Sequence, residues 1–188
     1  KVSVVRDGET LDFNITRQKI ENPTVEYKML DNKIGYIIIS EFDDVTVDQF
    51  KKAVDDLESQ GMKSLIVDVR NNPGGLLDAV VNVLDRLLPP GLVVYTQDKY
   101  NNRETEMAKD DQKIEVPMAV LINGNSASAS EIFAGTLQDY KVATIIGTTS
   151  FGKGIVQKVI PLTDGTAVKL TVSKYYTPKG RNIHGTGI

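Results

Sequence analysis

The sequence predicts an α/β domain, and three observations carry that prediction. Short apolar runs of strand length alternate with amphipathic helical stretches through the middle of the chain. Sharp glycine-, serine- or proline-rich breaks separate them, and the chain closes on a run of strand-like segments. At 188 residues, 40% apolar and 25% charged, it also has the length and composition for a sizeable core.

The elements follow in order. "KVSVVRDGETLDFNI" alternates apolar residues around Asp7-Gly8 and reads as a β-hairpin. "RQKIENPTVEYKML" reads as a connector, with a domain boundary near Glu21–Thr24, leading into the buried strand "KIGYIIISEF". "TVDQFKKAVDDLESQG" predicts a helix with a Thr46/Gln49 capping box, an apolar face of Phe50, Val54 and Leu57, and a stop at Gly61. "SLIVDVR" is a short buried strand broken by "NNPGG", and "LLDAVVNVLDRLL" is a second helix stopped by Pro89-Pro90. "TQDKYNNRETEMAKDDQKIE" is expected to loop over the surface, with an edge strand at Val93–Thr96. "PMAVLIN" is a buried strand and "SASASEIFAGTLQDY" a third helix. "VATIIG", "GIVQKVIPL" and "TAVKLTVSKYYT" are strand-like.

Composition excludes several function classes. A net charge of −3 offers no basic stripe, so nucleic acid is not expected as a partner. Without cysteine there is no disulfide, thiol catalysis or cysteine-ligated zinc, and the single His184 rules out a multi-histidine metal site. No apolar run approaches the roughly 18 residues of a membrane span. The chain opens in mid-pattern and stops at "HGTGI", so we expect a piece of something longer.

Three breaks carry chemistry. "GTTSFGKG", Gly147 to Gly154, falls one residue short of the phosphate loop G-x-x-x-x-G-K-[ST]. That loop needs a helix starting at its lysine, whereas "GIVQKVIPL" after Lys153 reads as a strand. "NGNSASASEIFAG" hands a strand to a helix N-terminus, where a nucleophile can stand beside free N–H groups. Ser128 and Glu131 also fit a purely structural capping box, and periodicity cannot choose among Ser126, Ser128 and Ser130. "VDVRNNPGG" ends a strand in a glycine pair that either makes a tight turn or brings an N–H close to a ligand.

Taken together, "NGNSASASEI", "TTSFGKGIVQ" and "DVRNNPGG" resemble, in order and spacing, the signature segments of the carboxyl-terminal processing peptidases, or tail-specific proteases. "KYYTPKGRNIHGTGI" is similar to the segment that follows that family's catalytic lysine. The resemblance implies a crotonase/ClpP-like β-β-α core with additional strands. It implies two parts: residues 1–22 as the last strands of a truncated PDZ domain plus linker, and residues 23–188 as the protease core. It assigns Ser128 as nucleophile, Lys153 as general base, Gln157 as the group orienting the lysine, and the N–H groups of Gly74 and Ala129 as the oxyanion hole. Ser126 and Ser130 then belong to the turn and helix, and His184 stays outside the site. It implies no metal or organic cofactor, protein or peptide substrates with accessible C-termini, a homo-oligomer as an option, and an extracytoplasmic location with any membrane anchor outside these residues.

The chemistry makes demands on those residues. A serine hydroxyl needs a base, and lysine serves only as the neutral amine. In water about one lysine in 2,500 is neutral at pH 7, and raising that to roughly a quarter costs about 4 kcal/mol of ammonium solvation. Phe151 and Ile155 are expected to exclude water, and Gly152 and Gly154 to leave room beside the serine. No acid lies between Thr148 and Pro161, and Lys153 and Gln157 share one face if the strand is extended. Two other readings compete: a crotonase-related enzyme acting on acyl-CoA, and a catalytically inactive protein-binding module.

Overall fold

The computed structural model describes residues 1–18, 22–109 and 113–188. Its main sheet has five strands in the order β3-β4-β5-β8-β9. Here β3 is Val25–Leu30, β4 Ile34–Ile39, β5 Ser64–Asp68, β8 Met118–Ile122 and β9 Ala143–Gly147. The last four run parallel, and β3 joins antiparallel at one edge. Alternate residues Ile37, Ile39, Leu65, Val67, Val120 and Ile122 point into the core, as a period of two requires.

Helices α1 (Thr46–Ser59), α2 (Leu77–Asp85) and α3 (Ala129–Tyr140) cross between the parallel strands. Their buried faces include Phe50, Val54 and Leu57 of α1, Val80 and Leu84 of α2, and Phe133 and Leu137 of α3. A second sheet, ordered β10-β11-β6-β7, holds β6 (Gly91–Asp98), β7 (Arg103–Ala108), β10 (Ile155–Pro161) and β11 (Ala167–Tyr176). Helix α3 is tied to β6 through main-chain carbonyls: Thr136 Oγ1 donates to Val93 O at 2.9 Å and Tyr140 Oη to Leu92 O at 3.0 Å. The N-terminal hairpin, β1 (Val2–Arg6) with β2 (Glu9–Phe13), forms its own two-stranded sheet and turns at Asp7 (φ 54°) and Gly8 (φ 82°).

Four sequence expectations need correction. The connector before "KIGYIIISEF" contains a full strand, β3, and the domain boundary expected near Glu21–Thr24 begins at Glu21, outside the described residues. The expected surface loop is a hairpin of β6 and β7, and Val93–Thr96 lies inside the sheet, flanked by β11 and β7. The turn forms because the Asp98 carboxylate accepts the N–H groups of Tyr100 (2.7 Å) and Asn102 (2.9 Å). Residues 110–112 of that stretch lie outside the described residues. Thr46 and Gln49 do not cap α1. Instead Gln49 Oε1 accepts the N–H groups of Thr24 (2.9 Å) and Val25 (3.1 Å), and Thr46 Oγ1 accepts that of Asp43 (2.8 Å). Capping residues were thus taken up by the neighbouring strand, a choice that only the packing of α1 on β3 decides.

The loops after β4, β5, β8 and β9 all emerge at the carboxyl ends of the parallel strands, the edge where α/β sheets hold their ligands. A polar cluster braces that edge. Asp68, 5% exposed, accepts Tyr36 Oη at 2.7 Å, Arg70 Nη2 at 2.6 Å and the Arg70 N–H at 2.9 Å. Burial acts to raise the Asp68 pKa, but these hydrogen bonds outweigh it and hold the carboxyl below its ordinary value. A depressed folded pKa stabilises the protein above the unfolded value and ceases to as pH falls through the folded one. Because Arg70 is half exposed, we expect Asp68→Asn to cost only about 1–2 kcal/mol at pH 7. Urea unfolding at several pH values should show the gap to the unmutated protein closing below about pH 4.

Candidate active site

Strand β8 ends at Ile122, and the turn that follows places Ser128 at the N-cap of α3 with φ 55° and ψ −113°. Ser130 N–H donates to Ala127 O at 3.1 Å, so Ser128 sits at the first central position of a type II′ turn, which normally demands glycine. The structure separates the three serines that periodicity left equivalent. Ser126 and Ser130 are fully buried, and their hydroxyls donate to Val69 O (2.7 Å) and Asn72 O (3.0 Å). Ser128 alone is partly exposed.

The glycine loop packs directly on this turn. A Cβ built on Gly74 (φ 106°) would lie 2.7 Å from Ala127 O, 2.8 Å from Ser128 Cβ and 2.9 Å from Ala129 N. A Cβ on Gly75 (φ 140°) would lie 2.0 Å from Phe42 O, so neither position tolerates a side chain. Ala129 N–H, the first of α3, has no hydrogen-bond partner among the described residues. Gly74 N–H does have one: it donates to Asn72 Oδ1 at 2.8 Å.

Glu131 joins the serine turn to the lysine loop. It is 0% exposed, and its carboxylate accepts four hydrogen bonds. Oε2 takes the N–H of Ser128 at 2.9 Å and of Lys153 at 2.7 Å; Oε1 takes Ser150 Oγ and the Gly152 N–H, both at 2.6 Å. One carboxylate oxygen therefore holds the main chains of both Ser128 and Lys153. Sequence reading recognised the capping box that Ser128 and Glu131 form, and missed the second half of the role. The only signal was an acid at the fourth position of a buried helix turn, which a surface cap resembles. Lys153 lacked an acid nearby in sequence, but in space a carboxylate stands at its main-chain nitrogen. Among the described residues its Nζ makes no ion pair.

Other expectations change as well. Phe151 is 65% exposed and does not seal the site. The glycines beside Lys153 make room for the C-terminal segment rather than for the serine: a Cβ on Gly154 would lie 2.6 Å from His184 N, and one on Gly152 3.2 Å from Gly185 N. His184 itself is exposed. Lys153 precedes β10, so it is not part of an extended strand shared with Gln157. The pairing of β10 with β11 shifts register between Val156 and Gln157, and Gln157 Nε2 lies 3.4 Å from Thr171 Oγ1. A cleft of about 540 Å³ opens between Leu77 and the second sheet, lined also by Asp98, Glu104, Val156, Lys158 and Leu170.

A sheet whose parallel strands deliver a serine turn, a glycine pair and a lysine loop to one edge has known counterparts. Residues 33–188 match Peptidase family S41, and the chain belongs to that family. It is 43% identical over 187 residues to the "Carboxy-terminal-processing protease" of Bartonella bacilliformis, covering 95% of this chain and 42% of the relative. It is 39% identical over 181 residues to the "Carboxyl-terminal-processing protease" of Synechocystis sp., covering 94% and 42%. Among solved structures it superposes on the photosystem II D1 C-terminal processing protease with a TM-score of 0.82 and 35% identity, covering 95% of this chain and 50% of that one. The mixed α/β architecture is that of this relative, and the crotonase/ClpP-like core is consistent with it. The chain thus spans half or less of the length of these relatives.

The site geometry has two energetic consequences. Ser128 carries backbone strain of about 1–3 kcal/mol. Ser128→Gly should therefore raise the urea midpoint, by about 1 kcal/mol in stability, whereas Ser128→Ala should not. Glu131→Gln replaces one acceptor oxygen by an NH2 facing two buried donors, and should cost about 3 kcal/mol or more in the same assay. A loss below 1 kcal/mol would contradict the four-donor arrangement.

Proposed function

We propose that this chain is the core of a serine endopeptidase that cleaves peptide bonds in the C-terminal regions of protein substrates. Ser128 is the nucleophile, Lys153 the general base, and the Gly74 and Ala129 N–H groups form the oxyanion hole. The observation that carries this reading is the shared Glu131 Oε2, which binds the main-chain N–H of both Ser128 and Lys153. These bonds are to the backbone, so they hold two segments 25 positions apart side by side, and the serine and lysine those segments carry are the residue types that acyl transfer needs.

In the acylation step Ser128 Oγ forms a bond to the carbonyl carbon while its proton passes to the neutral Lys153 amine. The carbonyl oxygen becomes an oxyanion between the two N–H groups, each worth about 3 kcal/mol. The C–N bond then breaks as Lys153 returns the proton to the leaving amine. Water attacks the acyl-serine ester, Lys153 again taking a proton, and the ester bond breaks as Ser128 Oγ recovers one. No step needs a metal or an organic cofactor. The proposed orienting role of Gln157 requires its carboxamide to turn from Thr171 towards the lysine. The cleft beyond Leu77, whose apolar lining is joined by Lys99, Lys158, Asp98 and Glu104, has the volume for a substrate side chain.

The proposed substrates are proteins or peptides with accessible C-termini. The reading extends to the N-terminal hairpin as the end of a PDZ domain, with residues 23–188 as the protease core, to an extracytoplasmic location, and to a homo-oligomer as an option. Among the described residues no helix is long and apolar enough to cross a membrane.

Treatment with a fluorophosphonate tests the dyad. One adduct per chain is expected at Ser128 by peptide mass mapping, absent in Ser128→Ala and slowed at least about a hundredfold in Lys153→Ala. Equal labelling of all three proteins would overturn the assignment.

A further inference from the structure

The oxyanion-hole donors are not equivalent in this structure. Ala129 N–H is unpartnered among the described residues, whereas Gly74 N–H already donates to Asn72 Oδ1 at 2.8 Å. Asn72 has no freedom in how it presents that oxygen. It is 0% exposed, and its Nδ2 donates to Ile39 O at 2.9 Å. Nδ2 therefore faces a carbonyl and Oδ1 faces an N–H, and the reverse orientation would oppose like groups at both ends. Its main-chain oxygen accepts Ala127 N–H at 3.0 Å and Ser130 Oγ at 3.0 Å, one residue before Ser128 and two after it. Asn72 thus links the end of β4, the glycine loop and the nucleophile turn.

We propose that Asn72 is a positioning residue whose carboxamide oxygen is the resting ligand of the oxyanion hole, exchanged for the substrate oxygen as the tetrahedral intermediate forms. The proposal rests on the reading of Ser128 as nucleophile. Its physical basis is a competition between acceptors for one N–H. A bound but unreacted peptide carbonyl is a neutral oxygen like Oδ1, so displacing the asparagine gains it almost nothing. An oxyanion makes a charge-assisted bond about twice as strong, so it wins the donor. Gly74 N–H is thereby withheld from the ground state and released to the transition state, the condition under which an interaction raises kcat instead of lowering KM. Gly74 itself lies against the serine turn, where a Cβ would meet Ser128 Cβ at 2.8 Å, so a small rotation of its peptide exchanges one acceptor for the other.

The test uses the 188-residue protein with 15N in its glycines and asparagines, before and after saturation with a fluorophosphonate, whose phosphoryl oxygen stands in for the oxyanion. The Gly74 amide should move downfield and the Asn72 side-chain amide should shift with it. In Asn72→Asp, which keeps an acceptor of equal reach, gives it charge and gives up the bond to Ile39 O, urea unfolding should still show a cooperative folded protein, and kcat for a peptide substrate should fall about tenfold or more while KM stays within about twofold. Full labelling of Ser128 with both resonances unmoved would overturn the exchange and leave the dyad standing. Equal losses in kcat/KM through KM alone would also overturn it. Failure to label Ser128 at all would remove the dyad, and the exchange with it.

Discussion

The buried carboxylate of Glu131 is the interaction on which the rest of the site depends. Four donors from two segments converge on it: the Ser128 N–H of the serine turn, and the Ser150 hydroxyl with the Gly152 and Lys153 N–H groups of the lysine loop. A carboxylate with no exposure is costly unless every lone pair is used, and here each oxygen has two partners. The same requirement makes the lysine loop rigid, because moving it would strip two hydrogen bonds from a buried charge at once. Glu131 sits on α3, which packs on the parallel sheet through Phe133 and Leu137, so the lysine loop inherits the position of the core.

Around that anchor the chain adopts conformations that ordinary residues resist. Ser128 at φ 55° packs against Gly74 at φ 106°, and Gly75 at φ 140° packs against Phe42. Within the strained turn Ser128 stays partly exposed, while the flanking Ser126 and Ser130 are buried and donate to main-chain carbonyls. The turn is held shut by the glycine loop, since Asn72 O binds both Ala127 N–H and Ser130 Oγ. A side chain at Gly74 would push the glycine loop off the serine turn, and one at Gly75 would push it off Phe42.

Much of this was legible in the residues, and the failures share one cause. The helices were readable because their apolar faces recur at 3.6 residues, and the parallel strands because they are short and apolar throughout. Strand β3 and the β6–β7 hairpin were hidden because each carries exposed charge, Glu26 and Lys28 on one face of β3 and Arg103 and Glu104 on the two faces of β7, and pairing with a neighbour stabilises them. Thr46 and Gln49 formed the right pattern for a cap, and the pattern was recruited by β3. Phe151 illustrates the reverse error, an apolar residue assigned to a seal and found largely in solvent.

By itself, then, the sequence determined the class of fold, the order of its elements and the residue types available for acyl transfer, because period, turn chemistry and motif spacing are local properties of the chain. It could not determine which groups face one another across loops far apart in sequence. That Gly152 and Gly154 accommodate Ile183–Thr186, that Gln157 lies beside Thr171, and that Glu131 gathers the serine and lysine loops are facts of tertiary packing. They follow from how the parallel strands stack their carboxyl ends at one edge, which brings loops together in an order that no local pattern encodes.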